Sequence, residues 1–421
     1  MHFSTTIIKE YVMLNEQELS AARAIDARPK TYRWAFILIT SLFFMWGLSY
    51  GLVDVLNKHF QESLHVTKAQ SGLIQAAYFG AYFLIALPAG LFMDKRGFKA
   101  GILLGLCLYA CGALLFVPAA NTASFSFFLF ALFVIACGLG CLETAANPYA
   151  TVLGHPDGAE RRLNLSQSFN GLGQFFGPLI GGAVFFSSGH ADPDSGLDSV
   201  SLVYALIAGL VLLIAIFIAR TPMPDIRGDQ DEEQAEDSRS LWQHKRFVAG
   251  VVTLFFYVGA QVGVGAFFIN YVTEHWSNIT SQKGSYLLSV AMLAFMFGRF
   301  FSTWLMGYVS AARLLMIYAL VNIGLCALVI SGFDNIAVIA LIAMFFFMSI
   351  MFPTIFAIGV KRLGRHTKRA SSFLIMAIVG GAIMPYLMGS MADHFSTATA
   401  FILPFCCFFI VAWFGWRNAL K

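Results

Sequence analysis

The chain has 421 residues, 58% hydrophobic and 12% charged, with 43 Phe. A soluble domain carries about 25% charged residues; this composition, with a mean hydropathy of +0.72, leaves too few polar groups to face water, and a soluble enzyme is excluded. The net charge of +4 is small, and no nucleic-acid partner is expected.

Residues 1–33 mix charges of both signs without an apolar core, so they read as a cytosolic tail and not as a signal peptide. Beyond them come apolar runs near 34–58, 70–93, 99–119, 123–150, 164–187 and 199–219, and then near 247–273, 284–308, 312–331, 335–360, 369–391 and 397–416. About 20 apolar residues cross the hydrocarbon as a helix. Only helices or closed barrels satisfy the backbone there, and these runs are too long and too evenly apolar for barrel strands. The expected fold is therefore an all-α membrane protein with twelve transmembrane helices. The polar stretch 221–246, with its acidic cluster Asp229 to Asp237, reads as a solvated linker between two six-helix halves, 34–220 and 247–421. Of the 27 Lys and Arg, 23 lie in the two tails, the linker and the loops after even-numbered spans; Lys58, Lys68 and Lys283 lie on the other side and Arg299 within a span. The bias puts both termini in the cytosol. The seven cysteines all fall in apolar runs and read as packing residues, with no disulfide framework.

The halves repeat one another. Leu42, Phe43, Phe44, Gly47 and Gly51 in span 1 match Leu254, Phe255, Phe256, Gly259 and Gly263 in span 7 at the same spacing, and Arg162, Gly173 and Pro178 match Arg369, Gly380 and Pro385. Spans 4 and 10 each carry a proline, Pro148 and Pro353. The loop between spans 2 and 3 holds Gly90, Asp94, Arg96 and Gly97, with glycine for a tight turn and Asp94 free to cap a helix or pair with a base. Parallel six-helix halves with this loop resemble the major facilitator transporters, whose substrate site lies between the halves near the midplane.

Ionisable groups inside a membrane are costly and mark function. Asp54 follows Trp46 and Tyr50 at helical spacing, so the three share a face. Glu143 stands one turn before Asn147 in GLGCLETAANP. Hydrocarbon disfavours the charged form of a carboxyl group, which suits both to carrying protons. In span 5, Gln167, Asn170 and Gln174 lie on one face; amides suit sugar hydroxyls, and they also join helices. Gln75 and Gln261 are further candidates, and Trp46, Tyr50, Tyr78, Tyr82 and Tyr257 offer rings for the C–H face of a sugar. Arg299, deep in span 8, needs an anionic or carbonyl partner that the sequence does not name.

GLIQAAYFGAYF, PAGLFMDKRGFKAGI, GLGCLETAANPYATVLG, RLNLSQSFNGLG, FFYVGAQ, FGRFFSTWL and FPTIFAIGVKRLG together resemble the fucose:proton symporter family of the major facilitator superfamily, over about 43–392. The resemblance implies that Asp54 and Glu143 handle the proton and that Asn170 faces the sugar. The chain departs from the L-fucose carrier at Ser49 to Val53, which is Asn-rich there, and at Met351-Phe352, which is Gln-Tyr there. Both changes remove hydrogen-bonding groups, so another hexose is plausible. The expected protein is a monomeric proton-coupled sugar importer of the bacterial inner membrane. It works by alternating access without a cofactor or metal, and its sugar meets Asn170, Gln167, Gln261, Asn147, Gln75, Tyr50, Trp46 and Phe352. The alternatives are a proton-driven exporter or antiporter on the same fold, and a sugar sensor that moves nothing.

Overall fold

A computed structural model describes residues 29–153, 159–186, 193–223, 241–361, 363 and 367–420. Most of the N-terminal tail and of the linker, including its acidic cluster, lies outside the described residues. The described residues are helical throughout: α1 (Pro29–Ser63), α2 (Leu73–Arg96, preceded by the turn Lys68–Ser71), α3 (Phe98–Leu114, continued by Phe116–Asn121), α4 (Phe125–Val152), α5 (Ala159–Phe185) and α6 (Pro193–Arg220). Then follow α7 (Lys245–Ala266, continued by Phe268–His275), α8 (Ser281–Leu305), α9 (Ala311–Ser331), α10 (Asp334–Met348 and Met351–Val360), α11 (Thr367–Met376 and Gly380–His394) and α12 (Thr397–Ala400 and Ile402–Ala419).

Eleven of these helices are long and apolar enough to cross a membrane. The remaining one is α5, whose Ser166, Gln167, Ser168, Asn170 and Gln174 lower its hydropathy. It is instead the main partner of α1, so its polar groups face protein. Several helices also begin before their apolar runs, two of them at a proline. Pro29 opens α1 and Pro193 opens α6, each where a first-turn proline loses no hydrogen bond.

Packing repeats with the sequence. The pairs α1–α5, α2–α4, α3–α4 and α3–α6 recur as α7–α11, α8–α10, α9–α10 and α9–α12, and the two seams between halves, α5–α8 and α11–α2, exchange under the same operation. This is a pseudo-two-fold axis between two six-helix units. The repeated glycines sit where backbones meet. A Cβ on Gly173 would overlap the Phe44 carbonyl, and one on Gly380 would overlap that of Phe255. Small residues permit such approach in lipid, where close packing replaces the hydrophobic drive between helices.

In the α2–α3 loop, Gly97 has φ +82° and its N–H closes α2 on the Met93 carbonyl at 2.8 Å. A positive φ of this kind is what glycine permits and a residue with a side chain rarely adopts. Arg96 is exposed, open space surrounds Gly90, and the Asp94 side chain lies outside the described residues.

Candidate functional site

At the end of the bundle opposite the termini the halves are tied together. Asp393, at the end of α11, accepts the backbone N–H groups of Lys68 and Ala69 at 3.0 and 2.8 Å. The Lys68 ammonium reaches Glu274 at 2.7 Å and donates to Thr397 at 2.9 Å. Ser281 bonds Glu62, and Asn270 donates to Gln61 at 2.6 Å. Gln61 continues inward to Asn57 at 2.8 Å, and Asn57 donates to Gln75 at 3.1 Å. Asn57, Gln75 and Asn270 are fully buried.

Asp54 stands just inside this closure. It is 3% exposed, and its Oδ2 has no hydrogen-bond partner among the described residues. It faces α7 of the other half, where a Cβ on Gly265 would stand 2.8 Å from that oxygen. The joined helix ends seal it from the outside. Tyr50, one turn away, is half-buried, with its ring edge-on to Tyr78 and Phe79 at 6.5 and 6.0 Å. Trp46 is half-buried on the same face.

Glu143 lies nearer the terminus-bearing end of α4. Asn147 donates to the Glu143 carbonyl at 3.1 Å and accepts from Gln167 at 3.2 Å, which joins α4 to α5. Asn170 is 3% exposed; it donates to the Phe43 carbonyl at 3.2 Å and accepts from Gln174 at 2.8 Å. On the amide face of α5, Asn170 joins α5 to α1, as amides between helices can, and Gln167 and Gln174 line a cavity. That cavity, about 170 Å³, opens between the halves against Phe295, Met296, Arg299 and Thr303 of α8.

Arg299 has the carbonyl partner that the sequence required. α10 is broken between Met348 and Met351. Pro353 has no N–H, so the Ser349 carbonyl has no donor one turn on. Arg299 Nε donates to it at 3.3 Å, and the guanidinium lies 5.1 Å from the centre of the Phe295 ring. Tyr257 of α7 donates to the neighbouring Met348 carbonyl at 2.7 Å. Arg299 and Thr303 also border a second cavity of about 330 Å³ that reaches Pro353 and Lys361.

The structure therefore gathers Asn147, Gln167, Asn170 and Gln174 in one cluster, and Asp54 and Gln75 in another nearer the closed end. Gln261 is half-buried on α7, and Phe352, just after the break, stacks on Phe356 at 6.3 Å. Three aromatic candidates need correction. Tyr78, Tyr82 and Tyr257 are 1%, 6% and 0% exposed; their faces are covered by packing and do not offer a stacking platform. The tie at Lys68, Glu274 and Asp393 escaped sequence reasoning, although Lys68 was one of only three basic residues on its side.

The major facilitator superfamily pattern matches residues 35–378. The L-fucose-proton symporter of Escherichia coli (strain K12) is 38% identical over 416 residues, covering 92% of this chain and 94% of that protein. The glucose/galactose transporter of Brucella abortus biovar 1 (strain 9-941) is 37% identical over 388 residues, covering 92% and 94%. A crystal structure of the Escherichia coli fucose:proton symporter FucP superposes with a TM-score of 0.69 at 37% identity, over 93% of this chain and all of that one. A bacterial homologue of the lysosomal transporter Spinster, 15% identical, shares the fold with a TM-score of 0.73 over 93% of this chain and 97% of that one. The chain belongs to the fucose:proton symporter family of the major facilitator superfamily.

Proposed function

We propose that the protein imports a hexose or deoxyhexose together with a proton, by alternating access and without covalent chemistry. The observation that carries this reading is a pair of carboxyl groups in one half, Asp54 buried and Glu143 half-buried. Asp54 lies beneath the closed end and Glu143 toward the other, beside an amide cluster open to the seam between halves. The relatives, named for L-fucose with a proton and for glucose or galactose, support a sugar as the cargo. Asp54 takes the proton when the closed end parts; Gln167, Asn170, Asn147 and Gln261 meet the sugar, with Tyr50, Trp46 and Phe352 as walls; Glu143 releases the proton on the other side. Neutralising a carboxyl group lowers the cost of closing apolar protein around it, and this couples proton to motion. The protein acts as a monomer in the bacterial inner membrane, with both termini in the cytosol.

The test separates coupled uptake from exchange. Glu143→Gln keeps shape and hydrogen bonding but never titrates. In proteoliposomes it should abolish sugar accumulation on an imposed pH gradient and spare counterflow of labelled sugar. A Glu143→Gln protein that still concentrates sugar on the gradient would remove Glu143 from the coupling site.

A further inference from the structure

Between Asp54 and Glu143 runs a line of buried hydroxyls. Gln75, Tyr78 and Tyr82 occupy one face of α2 at i, i+3 and i+7, a rise of about 10 Å along the helix. Gln75 is the neighbour of Asp54 at one end of this face, and Tyr78 and Tyr82 lie within electrostatic reach of Glu143 at the other. The Tyr78 and Tyr82 rings are 5.5 Å apart, and Tyr50, one turn from Asp54, lies 6.5 Å from Tyr78. Gly140, one turn before Glu143, lets α2 come close; a Cβ there would stand 3.7 Å from the Tyr82 ring.

These oxygens break a strong rule. Buried polar atoms are nearly always hydrogen-bonded, to protein or to ordered water. Ser49, Tyr78 and Tyr82 are 1%, 1% and 6% exposed, and among the described residues their hydroxyl oxygens have no partner at ordinary hydrogen-bond distance; nor do Asp54 Oδ2 and Gln75 Nε2, although Tyr78 lies beside the Ser49 and Tyr82 hydroxyls and Asp54 beside the Gln75 amide. Five polar atoms in this state cluster along one route from carboxyl to carboxyl. Ser49 adjoins both Tyr78 and Tyr109. Tyr109 stands apart from the route, because its hydroxyl already donates to the Met45 carbonyl at 3.3 Å. The other ionisable groups facing it are Tyr50, Tyr204 and, across the seam, Tyr257 with Arg299 behind it. Of the groups named, Arg299 is the one cation, behind Tyr257 across the seam.

We propose that Ser49, Tyr78 and Tyr82 form a proton relay between Asp54 and Glu143, with water completing the links where hydroxyls do not touch. This rests on the reading of Asp54 and Glu143 as the proton-carrying pair. In the transfer, the O–H bond of protonated Asp54 breaks toward the first oxygen of the line. Each hydroxyl accepts one proton and passes on its own, and the last bond forms on the Glu143 carboxylate. One proton moves, one carboxylate is exchanged for another, and the hydroxyls end unchanged. Gln75, held by Asn57 at 3.1 Å, borders Asp54 and takes no part in the transfer.

The relay is tested with full-length protein in proteoliposomes, using radiolabelled L-fucose, D-glucose and D-galactose. Tyr78→Phe and Tyr82→Phe remove only the hydroxyls. Each should slow pH-gradient-driven accumulation at least about tenfold and leave counterflow of the same sugar within about twofold, because exchange needs no proton to travel. Ser49→Ala, a smaller change on α1, should slow accumulation in the same sense and carries the test if a tyrosine variant does not fold. Accumulation at the parent rate in the Tyr78→Phe/Tyr82→Phe double variant would overturn the relay. Equal loss of accumulation and counterflow would also overturn it, by assigning the hydroxyls to sugar or to packing. A parent protein that shows counterflow but no response to the pH gradient fails the underlying reading instead, and the two failures are thereby distinct.

Discussion

The broken helix α10 makes a quantitative prediction. Two carbonyls at the break, Met348 and Ser349, take donors from outside their own helix, Tyr257 at 2.7 Å and Arg299 at 3.3 Å. Tyr257 and Met348 are fully buried. Leaving a buried acceptor without its donor costs about 1–3 kcal/mol in soluble proteins, whereas bonds between membrane helices average about 0.6 and reach about 1.7 kcal/mol. The Met348 carbonyl sits at a break with Pro353 downstream, so it has few alternatives, and Tyr257→Phe should cost about 1–2 kcal/mol. Arg299→Met loses a longer bond and a cation–π contact of about 0.5–2 kcal/mol, but it also spares the desolvation of the guanidinium, so its net cost should be smaller than those losses suggest. Because both side chains brace one break, removing either lets the helix relax, and the double variant should cost less than the sum, by about 0.5 kcal/mol or more. Reversible unfolding in mixed micelles measures all three. Tyr257→Phe within about 0.3 kcal/mol of the parent, or strict additivity, would refute the claim that these residues jointly hold the break.

Three further outcomes are expected. A reporter fused after Lys421 should be active only in a form that works in the cytosol, as the basic bias of the loops requires; periplasmic activity would reverse the assigned orientation. Asn170→Ala should weaken sugar binding by about 1–3 kcal/mol and also lower stability, since Asn170 joins α5 to the Phe43 carbonyl; unchanged affinity in a folded variant moves the site off this face. Asp393→Ala removes two bonds to backbone N–H groups at an exposed seam. A cost of about 1–2 kcal/mol there shifts the conformational balance about 5- to 30-fold toward opening at that end, readable as longer spin-label distances between the ends of α2 and α11; an unchanged distance distribution would show that this tie does not hold the end closed.

Much of the fold was legible because lipid imposes it: apolar runs of the right length, one polar linker and a one-sided basic bias leave little choice. The helix ends were less legible, since α1 extends to Ser63 and α6 begins at Pro193, beyond the runs that hydropathy marks. Pro29 and Pro193 carried a usable signal in their preference for the first helical turn. The partner of Arg299 was nearly legible too. Pro353 deprives the carbonyl four residues earlier of its donor, and a half-buried arginine two helices away supplies one. The tie between Lys68 and Asp393 was not legible, because it depends on how residues 325 positions apart meet, which no local pattern encodes.

The repeat, carried to individual positions, also explains why function is lopsided on a symmetric scaffold. The spacing that aligns Gly47 with Gly259 sets Trp46, Tyr50 and Asp54 opposite Val258, Val262 and Ala266. The spacing that aligns Gly173 with Gly380 sets Gln167, Asn170 and Gln174 opposite Leu374, Ala377 and Gly381. At all six positions the N-terminal half has a polar or aromatic side chain and the C-terminal half a small or aliphatic one. The glycines that let α1 meet α5 and α7 meet α11 are kept in both, because both interfaces need backbone contact. At these six positions the carboxyl and amide groups are kept in one half only, while the other half brings Gln261, Arg299 and Thr303 from different positions. An apolar facing wall makes the charged form of a carboxyl group costly when the halves close and leaves the neutral form nearly unaffected. A second set of carboxyl and amide groups across the seam would solvate the charge and weaken that discrimination. A carboxyl group faced by glycine and aliphatic positions across the seam, as Asp54 is by Gly265, is thus the arrangement in which protonation has the largest influence on closure.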